Sequence, residues 1–201
     1  MSVLVGRPAP DFTASAVLGS GEIVDEFNFA SSTKGKYAVV FFYPLDFTFV
    51  CPSELIAFDH RLKEFTDRGV EVIGVSIDSH FTHNAWRNTP VNNGGIGQVG
   101  YTLVADMKHE ICQAYDVEHP EAGVAFRGTF LIDKEGVVRH QVVNDLPLGR
   151  NVDELLRMVD ALQFHEEHGE VCPAGWNKGD KGMDASPDGV AAYLSENADN
   201  L

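Results

Sequence analysis

The chain has 201 residues, with 30 Asp and Glu against 15 Lys and Arg, a net charge of −15 at pH 7 and an isoelectric point near 4.7. That length suits one domain with a sizeable core, and 44% hydrophobic with 22% charged residues is the balance of a soluble globular protein. The acidic excess excludes a nucleic-acid surface, which needs clustered Lys and Arg, and no apolar run approaches the about 18 residues that suggest a membrane span.

From the start of the chain, Met1-Ser2-Val3-Leu4-Val5-Gly6-Arg7-Pro8 lacks the basic start and apolar stretch of a secretory signal, so a cytoplasmic protein is expected. Turn residues punctuate positions 1–37, with short strands expected at 11–14 and 23–25. The apolar run 38–43 reads as a buried strand stopped by Pro44. After a short aromatic loop, Pro52 sits where a helix begins. Leu55, Phe58, Leu62 and Phe65 continue at helical spacing, which predicts a helix over 52–66 ended by Gly69. Residues 70–77 form a second buried strand, completing a β-α-β unit with a right-handed crossover. A helix carrying Trp86 is expected at 79–89, a glycine-rich loop at 92–97, a strand at 101–105 and a helix at 107–115. Strands at 128–133 and 137–143 flank the hairpin signal Lys134-Glu135-Gly136. A last long helix spans 152–164, with Val152, Leu155, Leu156, Val159 and Leu162 on one face. Beyond His168 the composition shifts to Gly, Asp, Lys and Pro, as in an extended arm, and Ser186-Pro187 opens a short helix. The pattern therefore predicts an α/β domain over 1–164 and a C-terminal arm over 165–201.

Cys51 falls at the N-terminus of the helix after the first buried strand. Unpaired N–H groups and the helix dipole favour an anion there, and the anion of cysteine is the thiolate. A free thiol, with a pKa of about 8.5, is only a few per cent ionised at neutral pH. Each unit of depression corresponds to about 1.4 kcal/mol, and a helix terminus contributes little more than that. A reactive Cys51 therefore needs a second cation. Thr48, one turn upstream, offers a hydroxyl to a thiolate or a bound oxygen.

Pro44-x-x-x-Thr48-x-x-Cys51 resembles the active-site motif of the peroxiredoxins, and Phe42 to Pro52 is especially similar to their typical two-cysteine, alkyl hydroperoxide reductase C-like group. The blocks Pro8-Ala9-Pro10-Asp11-Phe12, Arg127-Gly128-Thr129-Phe130-Leu131-Ile132-Asp133 and Val171-Cys172-Pro173-Ala174-Gly175-Trp176 agree with it. The resemblance implies a thioredoxin-like α/β fold with an N-terminal extension and a C-terminal arm. It implies that Cys51 attacks a peroxide oxygen and becomes a sulfenic acid. Arg127 would hold the thiolate and the peroxide oxygens, and Pro44 would limit water access. Glu54 has two readings: it favours the helix dipole, or it orients an arginine. Cys172 is expected to resolve the sulfenic acid, and the family implies that it comes from the partner subunit of a homodimer assembling into a decameric ring. Thioredoxin or a dedicated flavoprotein reductase would return the electrons.

Neither an organic cofactor nor a resident metal is expected. His80-x-x-His83 and His165-x-x-His168 have ligand spacing, but such pairs are commonly just polar faces. Cys112, beside Ile111, Ala114 and Tyr115, reads as part of a packed helix face. A thiol–disulfide oxidoreductase is an alternative reading, disfavoured because Cys-x-x-Cys is absent. A ring-forming holdase chaperone is another. The loop Gly94-Gly95-Ile96-Gly97 and the pair Tyr193-Leu194 resemble, with substitutions, the elements that make some members sensitive to over-oxidation, and imply intermediate sensitivity.

Overall fold

The structure, a computed structural model, describes residues 3–200. The chain divides into two compact units with the boundary between Val152 and Asp153. In the first unit, β1 (Thr13–Val17) and β2 (Ile23–Asn28) lead through a short helix, α1 (Phe29–Ser32), to β3 (Tyr37–Phe42). Next come α2 (Cys51–His60), α3 (Leu62–Asp67), β4 (Val70–Ser76), α4 (His80–Arg87), β5 (Thr102–Ala105) and α5 (Glu110–Ala114). The hairpin β6 (Arg127–Ile132) and β7 (Val138–Asn144) completes it. The second unit consists essentially of α6 (Val152–His168), an irregular arm and α7 (Pro187–Asn197).

The seven strands form one sheet in the order β2-β1-β5-β4-β3-β6-β7. β3, β4 and β5 run parallel, while β1, β2, β6 and β7 join antiparallel. Position in this order explains the sequence patterns. β3 lies between β4 and β6 and buries all six of its residues, so its code is a continuous apolar run. β7 ends the sheet and, after buried Val138, carries only partly buried and exposed residues. The expected strand at 11–14 is shifted to Thr13–Val17, and the one at 23–25 extends to Asn28, because the two pair along a ladder with a bulge between Ala14 and Ala16.

The helix expected over 52–66 is two helices. Arg61 breaks it, with ψ of 2° and its N–H turned to Phe58 and Asp59 carbonyls. No Gly or Pro marks that break, so nothing in the spacing announces it. Gly69 does end α3, in the left-handed region with φ of 69°. The helix expected at 107–115 shortens to Glu110–Ala114, because His109 itself adopts φ of 62°.

What positions α2 is aromatic packing on β3. Phe41 stacks on Phe58 with ring centroids 4.1 Å apart, and both are fully buried. Tyr101 donates from its hydroxyl to the Leu55 carbonyl at 2.8 Å, and the Gly100 N–H donates to Asp59 at 2.7 Å. Gly74 on β4 makes room for this stack: a Cβ there would lie 2.9 Å from the Phe41 ring and 2.9 Å from Leu103. Gly74→Ala is therefore expected to overpack the sheet under α2 and destabilise the protein by about 1–3 kcal/mol in urea unfolding. Unchanged stability would show that Phe41 is not held in place by this contact.

Candidate active site

Pro44 is buried at the end of β3, and the loop from Leu45 to Val50 leads to Cys51, the first residue of α2. Pro52 follows as the second helical residue, where its missing N–H costs nothing. The loop is tied down by a buried polar network. Asp46 accepts from the Tyr43 hydroxyl at 2.8 Å and lies 2.8 Å from His83 Nδ1, while its own N–H donates to Asp78 at 2.9 Å. His83 Nε2 lies 3.2 Å from the Val104 carbonyl, which can only accept, so that nitrogen carries a proton. Burial raises the Asp46 carboxyl from its usual value, against the His83 bond that lowers it, and burial likewise keeps the Tyr43 phenol protonated. Phe47, beside Thr48, sits in the left-handed region at φ 54°, a conformation that costs a bulky residue energy and that the surrounding contacts hold.

Cys51 is 1% exposed. Thr48 Oγ1 lies 2.9 Å from Cys51 Sγ and 2.7 Å from the Leu45 carbonyl. The hydroxyl has one proton. With a protonated sulfur it donates to Leu45; with a thiolate it is available to the sulfur. Arg127, the first residue of β6, donates from one terminal nitrogen to Cys51 Sγ at 3.4 Å and to Glu54 at 2.5 Å, and from Nε to the Leu146 carbonyl at 2.7 Å. Glu54, in the first turn of α2, is only 3% exposed. The structure resolves its two readings in favour of the pairing: the carboxylate is enclosed by guanidinium groups.

The second guanidinium is one that sequence reasoning missed. Arg150 donates from Nε to Glu54 Oε1 at 2.9 Å, from a terminal nitrogen to Oε2 at 3.2 Å, and from its backbone N–H to Oε1 at 3.1 Å. Its other terminal nitrogen donates to the Gly128 carbonyl at 2.8 Å and Thr129 Oγ1 at 3.2 Å. Its face lies 5.1 Å from the Phe41 ring centroid. Burial lowers the guanidinium from its usual value while Glu54 raises it, which leaves it charged because arginine starts so high. The one sequence signal for it is that Glu54 asks for a guanidinium partner in a chain with few cations.

Cys172 belongs to the arm, beside the Val171–Met183 bridge, where its thiol donates to the Ala161 carbonyl at 3.4 Å and partial burial raises its pKa. Cys112 is buried in α5. Desolvation, then the charge of Asp106, pushes its thiol far above the usual range, so it is no nucleophile. All three cysteines are free thiols. One histidine of each spaced pair has another occupation: His83 is held by Asp46 and Val104, and His165 Nδ1 faces the Glu170 carbonyl at 2.8 Å. No helix among the described residues is long and apolar enough to cross a membrane.

Comparison with known proteins agrees with this geometry. Residues 5–141 match the AhpC/TSA family, and residues 161–196 match the C-terminal domain of 1-Cys peroxiredoxin. The chain is 59% identical over 199 residues to alkyl hydroperoxide reductase C of Helicobacter pylori, covering 99% of this chain and 100% of the relative. It is 55% identical over 194 residues to alkyl hydroperoxide reductase C of Buchnera aphidicola, covering 96% and 98%. Among solved structures, the reduced 2-Cys peroxiredoxin of Plasmodium vivax matches with a TM-score of 0.92 and 48% identity, over 96% of this chain and 99% of that one. A thioredoxin-like sheet carrying a buried cysteine beside paired arginines, and relatives of this identity over nearly the whole length, show that the chain belongs to the AhpC/TSA family as a peroxiredoxin, a thiol-dependent peroxidase.

Proposed function

We propose that Cys51 is the peroxidatic sulfur and that the enzyme reduces hydrogen peroxide and organic hydroperoxides. The Cys51 thiolate attacks one oxygen of the O–O bond, the bond breaks, and the other oxygen departs as hydroxide or alkoxide to be protonated. Cys51 is thereby oxidised to a sulfenic acid while the peroxide is reduced to water or an alcohol. The observation that carries this reading is the contact of Cys51 Sγ with Thr48 at 2.9 Å and Arg127 at 3.4 Å, backed by the Glu54–Arg150 pair. Thr48 and Arg127 are donors placed where charge moves during attack. Pro44 covers the approach. Glu54 and Arg150 position Arg127 rather than touch the sulfur.

Resolution is assigned to Cys172 of a second subunit: its thiol attacks the sulfenic sulfur, a disulfide forms and water leaves. Cys51 is too buried to be reached where it stands, so the first turn of α2 must unwind before the bond forms. Thioredoxin or a flavoprotein disulfide reductase then supplies two electrons as a dithiol. The division of labour places the peroxidase chemistry on residues 1–164 and resolution on the arm, residues 165–201. Three scattered cysteines, too few for a disulfide scaffold, fit a reducing compartment, the cytoplasm.

Two surfaces support assembly of dimers into a ring. β7 ends the sheet and exposes Val142 and Val143, a ready edge for a second copy. Phe47, Phe49, Phe81 and Val91 expose large apolar side chains around the active-site loop and α4, Phe49 to 96%.

Equimolar peroxide should convert the wild type to a disulfide-linked dimer on a non-reducing gel, whereas Cys51→Ser and Cys172→Ser should not give that full conversion. A dimer that survives Cys172→Ser would assign resolution elsewhere. Arg150→Lys keeps the charge but loses the planar fork, and should lower kcat/KM for peroxide about 10–100-fold with the fold intact; an unchanged rate in stopped-flow would leave Arg127 sufficient alone. Phe49→Asp should shift the sedimenting species from ring to dimer, and an unchanged ring would remove this patch from the interface.

A further inference from the structure

Away from the peroxidatic site, the start of α5 gathers a set of side chains that the peroxidase chemistry does not use. His109 immediately precedes α5, Cys112 lies three residues on, and Glu118 follows in the segment bridged to Ala125. The i, i+3 spacing puts His109 and Cys112 on one side of the turn. A His nitrogen, the Cys112 sulfur and a Glu118 oxygen all lie within 4.8 Å of one another. From this juxtaposition we propose that His109, Cys112 and Glu118 form a binding site for a zinc-class divalent cation, with a fourth position open to water.

The chemistry of the donors selects the cation. One nitrogen, one sulfur and one carboxylate oxygen are the ligand types of zinc, and thiolate disfavours the hard cations magnesium and calcium. Donors on one tetrahedral zinc stand roughly 3.4–3.7 Å apart, given bonds of about 2.0–2.3 Å. His109 Nδ1 and Glu118 Oε1 are now 2.5 Å apart, so the site forms when that contact opens by about an ångström. Both groups are only partly exposed, at 27% and 25%, while the sulfur is buried beneath them. The two partly exposed ligands are therefore the ones a cation meets from solvent.

The support for the ligands is already in place. Gln113 Nε2 donates to the other Glu118 oxygen at 2.9 Å, which fixes the carboxylate. Asp106 accepts the backbone N–H groups of Ile111 at 3.0 Å and Cys112 at 2.7 Å, which fixes the turn carrying the sulfur. The thiol proton now points to the His109 carbonyl at 3.3 Å. On binding, the proton shared by His109 Nδ1 and Glu118 moves to His109 Nε2, the metal–sulfur bond replaces the S–H bond and the thiol proton leaves to solvent; no electron is transferred. The sequence singles out the two His-x-x-His pairs, but the fold assembles neither of them into this kind of cluster.

Cobalt(II) is the probe. The full-length, reduced, metal-free chain carrying Cys51→Ser and Cys172→Ser leaves Cys112 as its one thiol. Titration with cobalt(II) chloride should saturate at one equivalent per chain with a thiolate-to-cobalt charge-transfer band, and zinc chloride should displace it. Adding Cys112→Ala should abolish the band, and His109→Asn, which tolerates the left-handed backbone, or Glu118→Gln should weaken binding at least about 10-fold. Peroxide consumption by Cys112→Ala in the otherwise native chain reports that this variant folds. Absence of the band, or a band that persists without Cys112, overturns the site.

Discussion

One carboxylate shared between two guanidinium groups is the constraint on which the reactive centre depends. Glu54 accepts from Arg127 and Arg150, and all three are buried. Two positive charges and one negative leave one positive charge over, and the atom facing it from Arg127 is Cys51 Sγ. A helix terminus offers an anion about 0.3–1 kcal/mol at the surface, up to about 2 in favourable geometry. Breaking a buried pair by removing one partner costs about 3–5 kcal/mol. The buried arginine–carboxylate cluster is therefore the stronger of the two interactions at this end of α2, and the charge of Glu54 is matched by the second arginine.

Each member of this set arrives on a different element, and the sheet is what brings them together. α2 supplies Cys51 and Glu54 one turn apart. β6 supplies Arg127, and the segment between β7 and α6 supplies Arg150. β3 lies between β4 and β6, and its Phe41 touches both halves of the arrangement, stacking on Phe58 of α2 and lying under Arg150. The loop before Cys51 has its own anchor in Asp46, Tyr43, His83 and Asp78. Thr48 is thus presented to the sulfur from a loop that buried hydrogen bonds fix at Asp46.

The legibility of these features in the sequence follows how local they are. Pro44, Thr48, Cys51 and Glu54 lie within eleven residues, and a strand-stop, a helix-start and a hydroxyl at the right spacing can be read directly. Arg127 was accessible because it opens a strand inside a recognisable block. Arg150 was not: it is 96 residues from Glu54, on an irregular segment with no periodicity, and its role exists only through the fold. The break at Arg61 was equally hidden, since no residue there is a helix breaker by its own chemistry. His83 shows the reverse failure. Its spacing from His80 suggests a ligand pair, while in space Asp46 and Val104 already occupy both ring nitrogens.

Cys51 and Cys112 make the underlying rule plain. Each is 1% exposed, and each lies in the opening turn of a helix. Burial and helix position alone would predict the same chemistry for both. Their neighbours differ in sign. Beside Cys51 lies the Arg127 guanidinium; beside Cys112 lie the carboxylates of Asp106 and Glu118, which add to desolvation in raising its pKa. For a thiol of the second kind the thiolate is disfavoured; a cation bonding to sulfur would offset that, with the Glu118 carboxylate as a further ligand. Two equally buried sulfurs are thus set apart by the charges that surround them.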